Sequence, residues 1–222
     1  MSRVLQALLV LALLMAGLQW GIPRWVGQQV ARQLAQVDGG VTPTVEVTAI
    51  PFWTLASGRF QDLYIQARQL TLAGVAVQGV TMNWADGQVS IAGLLHHQLD
   101  IKRPGHVSLQ VALSGTALSH VLAQGNTLAS PSVTIRPTGI TVSGRILVGG
   151  VYFPLTATGN LFVSPNQEQL IFRATQIDGI HLPVLTEMQL VNLANLKLPL
   201  PLAIDQVTET SSNTIVIKAG SP

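Results

Sequence analysis

The sequence predicts an α+β fold, a strongly curved antiparallel β-sheet with a few amphipathic helices forming an elongated groove, and three observations predict it. Several runs alternate apolar and polar residues with a period of two, as strands with unlike faces do. Between Val47 and Trp84 that alternation changes phase: apolar residues hold odd positions to Ala67, even positions at Leu70 and Leu72, and shift again near Gly74 and Gly79. One inserted residue turns every later side chain to the other face, so each change implies a bulge, bend or turn, and repeated bulging curves a sheet. Three other stretches space their apolar residues as a helix face requires.

The chain opens with MSRVLQALLVLALLMAGLQWGI, one early base followed by an apolar run, which is an export signal by pattern. Leu8 to Leu18 suits a cleavable signal peptide, whereas Val4 to Ile22 would reach roughly 28 Å as a helix, enough for a hydrocarbon core of ~30 Å. Residues 1–23 are therefore read as a signal peptide or a signal-anchor helix, and residues 24–222 as the exported domain. Ala16 is followed by Gly17, Leu18 and Gln19, a poor cleavage site, and Trp20 and Trp25 resemble an interfacial belt beside Arg24. Both features favour the anchor.

An amphipathic helix follows over residues 24–37, with Val26, Val30, Leu34 and Val37 on one face, suited to docking on the sheet. Thr44–Ala49 reads as a strand and Pro51-Phe52-Trp53 as a corner. Strand-like sequence resumes at Phe60, where Leu63, Ile65 and Ala67 oppose Tyr64, Gln66 and Arg68. Asp86-Gly87 reads as a hairpin turn leading into a strand through Val89 and Ile91. Val107 to Ser114 alternates cleanly, and a short helix over Thr116–Ala123 carries Leu118, Val121 and Leu122 on one side. Strands are expected near 132–136, 139–148, 151–163 and 169–177, with turns at Gly149-Gly150 and Asn166-Gln167. Pro183 opens a third expected helix, 183–196, with Leu185, Met188, Leu193 and Leu196 on its apolar face. A last hairpin pairs Leu202–Glu209 with Thr214–Lys218. The pattern is a coarse duplication, a β-meander and a helix twice over.

Composition narrows the chemistry. Charged residues are 10% of the chain, against ~25% in an average domain. Polar duty falls to 19 Gln and 18 Thr, and Thr suits strands. With a net charge of +2 and only Lys102-Arg103 as a basic pair, the chain does not suit nucleic acid. The absence of cysteine excludes disulfides, thiol catalysis, zinc–thiolate sites and a lipid anchored through cysteine. His96-His97, Asp100 and His106 invite a metal reading, but neighbours on a strand point to opposite faces and no HExxH spacing occurs. The ten acidic residues are scattered, and neither a GxSxG elbow nor a phosphate-cradling glycine loop is present. A catalytic role, a cofactor and a resident metal are not expected.

An apolar, sparsely charged β-surface remains, with helices to cover it. A curved sheet could leave a groove between one face and its helices, and Leu118, Val121, Leu122, Leu185, Met188 and Leu193 are its candidate lining. The same alternation equally suits a closed core, which would make the protein a structural or adaptor module of the envelope with protein partners.

Several of these stretches resemble a known family. They are the Val26–Leu34 helix (VGQQVARQL), the block Pro51-Phe52-Trp53-Thr54-Leu55 with Gly58-Arg59-Phe60, the strand Leu63–Ala67, the Thr116–Leu122 helix and the LPLPL stretch before the final hairpin. Together they resemble the LmeA-like phospholipid-binding family of bacterial envelope proteins, over most of residues 25–219. The resemblance implies a curved antiparallel groove akin to tubular lipid-binding folds, phospholipid or another acyl-chain lipid as partner, contact with a membrane and no reaction. It implies a place in the cell envelope, exported and held at the outer face of the cytoplasmic membrane or secreted after cleavage. It carries over no individual site residue.

Overall fold

A computed structural model describes residue 19 and residues 21–28, 31–32, 42–72, 75–95, 100–124, 128–178, 187–193, 200–210 and 212–221. Antiparallel sheets dominate it at 61% strand, one sheet curls strongly into a half-barrel, and helices are few. The expected fold class is the observed one. A six-stranded sheet runs β1 (Thr44–Thr48), β2 (Asp62–Leu72), β3 (Val75–Ala85), β6 (His106–Ser114), β13 (Thr214–Gly220) and β12 (Ala203–Thr210). A five-stranded sheet runs β11 (Glu187–Asn192), β10 (Gln169–Ile177), β9 (Val151–Val163), β8 (Gly139–Val148) and β7 (Ala129–Arg136). A small pair, β4 (Gln88–Val89) with β5 (Ile101–Arg103), completes the strands among the described residues. The helical pieces are α1 (residues 21–28 and 31–32), a 3-10 helix Phe52–Ser57, α2 (Ile91–Leu95) and α3 (Gly115–Gln124).

Two compact units divide the chain, residues 1–67 with 81–107 and residues 68–80 with 108–222. The divisions after Ala67 and Val80 fall where the alternation changes phase. Ala67 ends one segment, and in β3 the buried positions pass from Val77 to Val80 and Trp84, odd to even. Gly79 lies at the change with φ 81°, a conformation open to glycine and strained for a branched residue.

In the first unit α1 lies close against β1, because a Cβ on Gly27 would come within 2.7 Å of the Val45 carbonyl oxygen. The aromatic corner is the 3-10 helix, ended by Gly58 in the left-handed region at φ 76°. Phe60 meets Trp84 edge to face at 4.9 Å, and Trp84 Nε1 donates to the Pro104 carbonyl oxygen. Asp86 bends the chain at φ 53°, but the expected Asp86-Gly87 hairpin does not form, since β3 and β4 belong to different sheets. Beyond Gly87 the sequence expectation needs correcting too. The strand stops at Val89 and pairs with β5, while Ile91 opens α2.

In the second unit the expected β-meander appears as β7 to β10. Ser114 caps α3, its Oγ accepting from the Ala117 N–H at 3.2 Å. A further correction concerns the third helix. Glu187–Asn192 is strand β11, and the rest of the expected helix, 183–186 and 194–196, lies outside the described residues. Met188 and Leu190 alternate with Glu187 and Gln189, and β11 satisfies the edge of β10 that a helix would have left unpaired. The Arg173–Glu187 ion pair at 2.7 Å joins the two strands on their outer face. The duplication therefore ends in a strand, not in a second helix.

The curl of the five-stranded sheet follows from its neighbours. β7 and β11 are its opposite edges, yet α3 packs against both. A flat sheet of five strands at ~4.8 Å spacing would hold its edges roughly 19 Å apart, wider than one helix of ~10 Å diameter. Packing of one helix against both edges accords with a sheet whose edges bend towards each other.

Candidate functional site

The inner face of the curled sheet is set by register. The Gly149-Gly150 turn, with φ 59° and 84°, is the two-residue type that joins adjacent antiparallel strands, and it makes Val142 face Ala157, Gly144 face Leu155, Ile146 face Phe153 and Val148 face Val151. β10 adds Phe172, opposite Leu161 on one side and Met188 on the other. A bulge between Ala174 and Gln176 then substitutes Ile177 for Gln176 as the partner of Ala157. Without that extra residue a glutamine would point into the apolar face.

These side chains enclose a small cavity of about 20 Å³, lined by Leu128, Val142, Ile146, Leu155, Ala157, Phe172, Ile177 and Met188. Its lining holds no polar side chain. The volume suits about one water molecule, and a water would find no side-chain partner there. Such a surface can exclude water and hold hydrocarbon, but it offers nothing for proton transfer or nucleophilic attack. Among the described residues no group of three or more metal-ligating side chains comes together. Burial pushes the Glu209 carboxyl up, but Glu209 lies in β12 opposite Ile215, and neither residue lines the cavity.

The sequence candidates fall in different places. Leu118, with no exposure, and Leu122, at 6%, are buried positions of α3, while Val121 is half-buried. Met188 lines the cavity, from a strand where a helix was expected. Leu193 is half-buried just after β11, its N–H donating to the Glu168 carbonyl oxygen. Leu185 lies outside the described residues. Seven lining residues escaped sequence reasoning, which looked to helices for the groove. The two-glycine turn could have found four of them, Val142, Ile146, Leu155 and Ala157, because it fixes which residues of 139–148 and 151–163 share a face.

Comparison with known proteins agrees with this apolar concavity. The model of the family described as LmeA-like phospholipid-binding matches residues 17–217. The chain belongs to the LmeA-like phospholipid-binding family. The LmeA-like match takes in both compact units and starts just before Gln19. No curated protein and no solved structure matches the chain. Membership in an LmeA-like binding family accords with a site built of hydrocarbon instead of ionisable groups.

Proposed function

We propose that this chain is a non-catalytic phospholipid carrier of the bacterial cell envelope, which holds an acyl chain against the inner face of its five-stranded sheet. The carrying observation is the continuity of that face. From Val142 and Ala157, both under 7% exposed, it runs without an ionisable side chain to Val148 and Val151, each over 50% exposed. A sixteen-carbon chain brings about 12 kcal/mol of hydrophobic free energy at ~0.8 kcal/mol per methylene, so a carrier must offer comparable apolar contact. The present cavity is far smaller than such a chain. Loading therefore requires α3, with Leu118, Val121 and Leu122, to part from the sheet edges that it packs against, the edge strand β11 carrying Met188 with Leu193 just after it.

Residues 1–23 would hold the carrier at the outer face of the cytoplasmic membrane. Gln19 supports retention of at least the end of this segment. Its Nε2 donates to the Ala49 carbonyl oxygen at 2.6 Å, and its Oε1 accepts from the Phe52 N–H at 2.9 Å. Nearby in sequence, Trp25, Ile50 and Trp53 are 54–63% exposed, as side chains at a lipid headgroup layer would be. No helix among the described residues is long and apolar enough to cross a membrane, and residues 1–18 lie outside them.

The complete exposure deficit of Leu118 and the smallness of the cavity favour a second reading, an adaptor with a filled core. Native mass spectrometry and solvent extraction of the purified full-length protein separate the two. Co-purifying phospholipid, or its uptake from liposomes, is the expected result. A protein that is empty and stays empty would leave the adaptor reading standing.

A further inference from the structure

The β8–β9 hairpin changes character near its turn. Up to Arg145 its outer face is polar, with Thr141 opposite Thr158 and Ser143 opposite Thr156. Beyond Arg145 both faces are apolar: Ile146, Val148, Val151 and Phe153 on the inner side, Leu147 and Tyr152 on the outer. Leu147, Val148, Val151, Tyr152 and Phe153 are between 48% and 60% exposed, although a folded chain ordinarily buries such a run. Between residues 139 and 163 the only charged side chain is Arg145, and no acid occurs.

Among the described residues the hairpin also outruns its neighbours. β7 pairs with β8 as far as Arg145, and β9 is met by β10 to Ala157 and by Asp178 at Thr156. A Cβ at Gly149 or Gly150 would meet nothing within 4 Å. From Arg145 to the turn the tip extends roughly 10 Å at ~3.4 Å per residue.

We infer that this tip, Ile146–Phe153, inserts into the headgroup–acyl boundary of a lipid bilayer and delivers lipid to the inner face of the sheet. The inference rests on the proposed carrier function. Depth is limited by the backbone, since hydrocarbon cannot satisfy any strand N–H or C=O that lacks a partner. A reach of ~10 Å stops within one leaflet, at the depth where apolar faces of membrane-surface elements rest. Arg145 sits one step below the apolar tip, its guanidinium 5.6 Å from the Tyr152 ring centroid. A cation and an aromatic ring at that level suit anionic phosphate and the interface. Ile146 belongs to both the tip and the cavity lining, and Leu155 of the lining follows Phe153 on the same face, so the path from bilayer to cavity is unbroken. A second copy of the chain would need one matching face or edge, whereas here both faces are apolar over a short projection.

The test uses the full-length protein, which has no native cysteine. The N-terminal segment can bind vesicles by itself, so the readout must be local. An environment-sensitive fluorophore at Val148→Cys should shift to the blue on phosphatidylethanolamine–phosphatidylglycerol vesicles and be quenched by lipids spin-labelled high on the acyl chain. The same label at Asn166→Cys, in an exposed turn, should do neither. Adding Leu147→Asp and Val151→Asp should lower the inserted fraction of the Val148 label about tenfold or more, since charge is costly in the bilayer. These positions are exposed, and an unchanged circular dichroism spectrum and melting curve would verify folding. A Val148 label that stays in water on vesicles overturns the inference, and co-purifying lipid would then leave the carrier function intact. A blue shift that needs no vesicles and grows with protein concentration overturns it in favour of a second copy. Tip insertion by a protein that never carries lipid would uphold the insertion and overturn both the delivery and the carrier function.

Discussion

Glu209 shows how a single group can report the cost of an apolar environment. Burial pushes its carboxyl up, so the folded state holds the proton more tightly than the unfolded chain does. Stability then falls as pH rises from the unfolded value through the raised folded value, and the penalty is fully present above the latter. Glu209→Gln should raise the melting temperature at neutral pH and lose that advantage below the unfolded carboxylate pKa. The side chain is only half-buried, which keeps the gain small. Melting curves across the acid range check the sign. An advantage that grew on acidification would contradict the burial argument.

The pairing of α3 with β7 depends on one close approach. A Cβ on Gly115 would sit 2.3 Å from the Val133 carbonyl oxygen and 2.7 Å from Asn213 Oδ1. Four hydrogen bonds surround it. Gly115 N–H donates to the Asn213 carbonyl oxygen, Ser119 Oγ donates to the Gly115 carbonyl oxygen and accepts from the Val133 N–H, and Asn213 Oδ1 accepts from the Ile135 N–H. Gly115→Ala should therefore lift the start of α3 from β7 and cost about 1–3 kcal/mol in urea unfolding. A midpoint unchanged at constant slope would show that the helix start can shift freely. At this scale the sequence was most readable. Alternation located β7 to β10, and helical spacing located α3, because each signal is local and lasts long enough to repeat. Residues 187–192 misled because Leu185, Met188, Leu193 and Leu196 fit a helix while Met188 and Leu190 fit a strand. What decided between them was the open edge of β10, which no local pattern reveals. The cavity lining was hidden for a related reason: Phe172 and Ile177 share a face only because of the bulge at residues 174–176.

For the molecule as a whole, the open question is where the folded domain begins. The family match starts at residue 17, and Gln19 ties the end of the N-terminal segment to Ala49 and Phe52. If residues before this point serve only as export signal and membrane tether, they and the domain are separable at a defined place. Deleting residues 1–17 should leave the melting temperature and lipid content of the protein unchanged while moving it from the membrane fraction to the soluble one. Deleting through Pro23 should do more, because it also removes both Gln19 bonds and the first turn of α1. Leaving the Ala49 carbonyl and the Phe52 N–H without these partners should cost about 1–3 kcal/mol. Calorimetry and membrane fractionation of the two truncations check each half. Equal stability of the two proteins would mean that the Gln19 contacts contribute nothing. Loss of lipid in the shorter deletion would mean that the apolar segment itself, and not the curled sheet, holds the acyl chain.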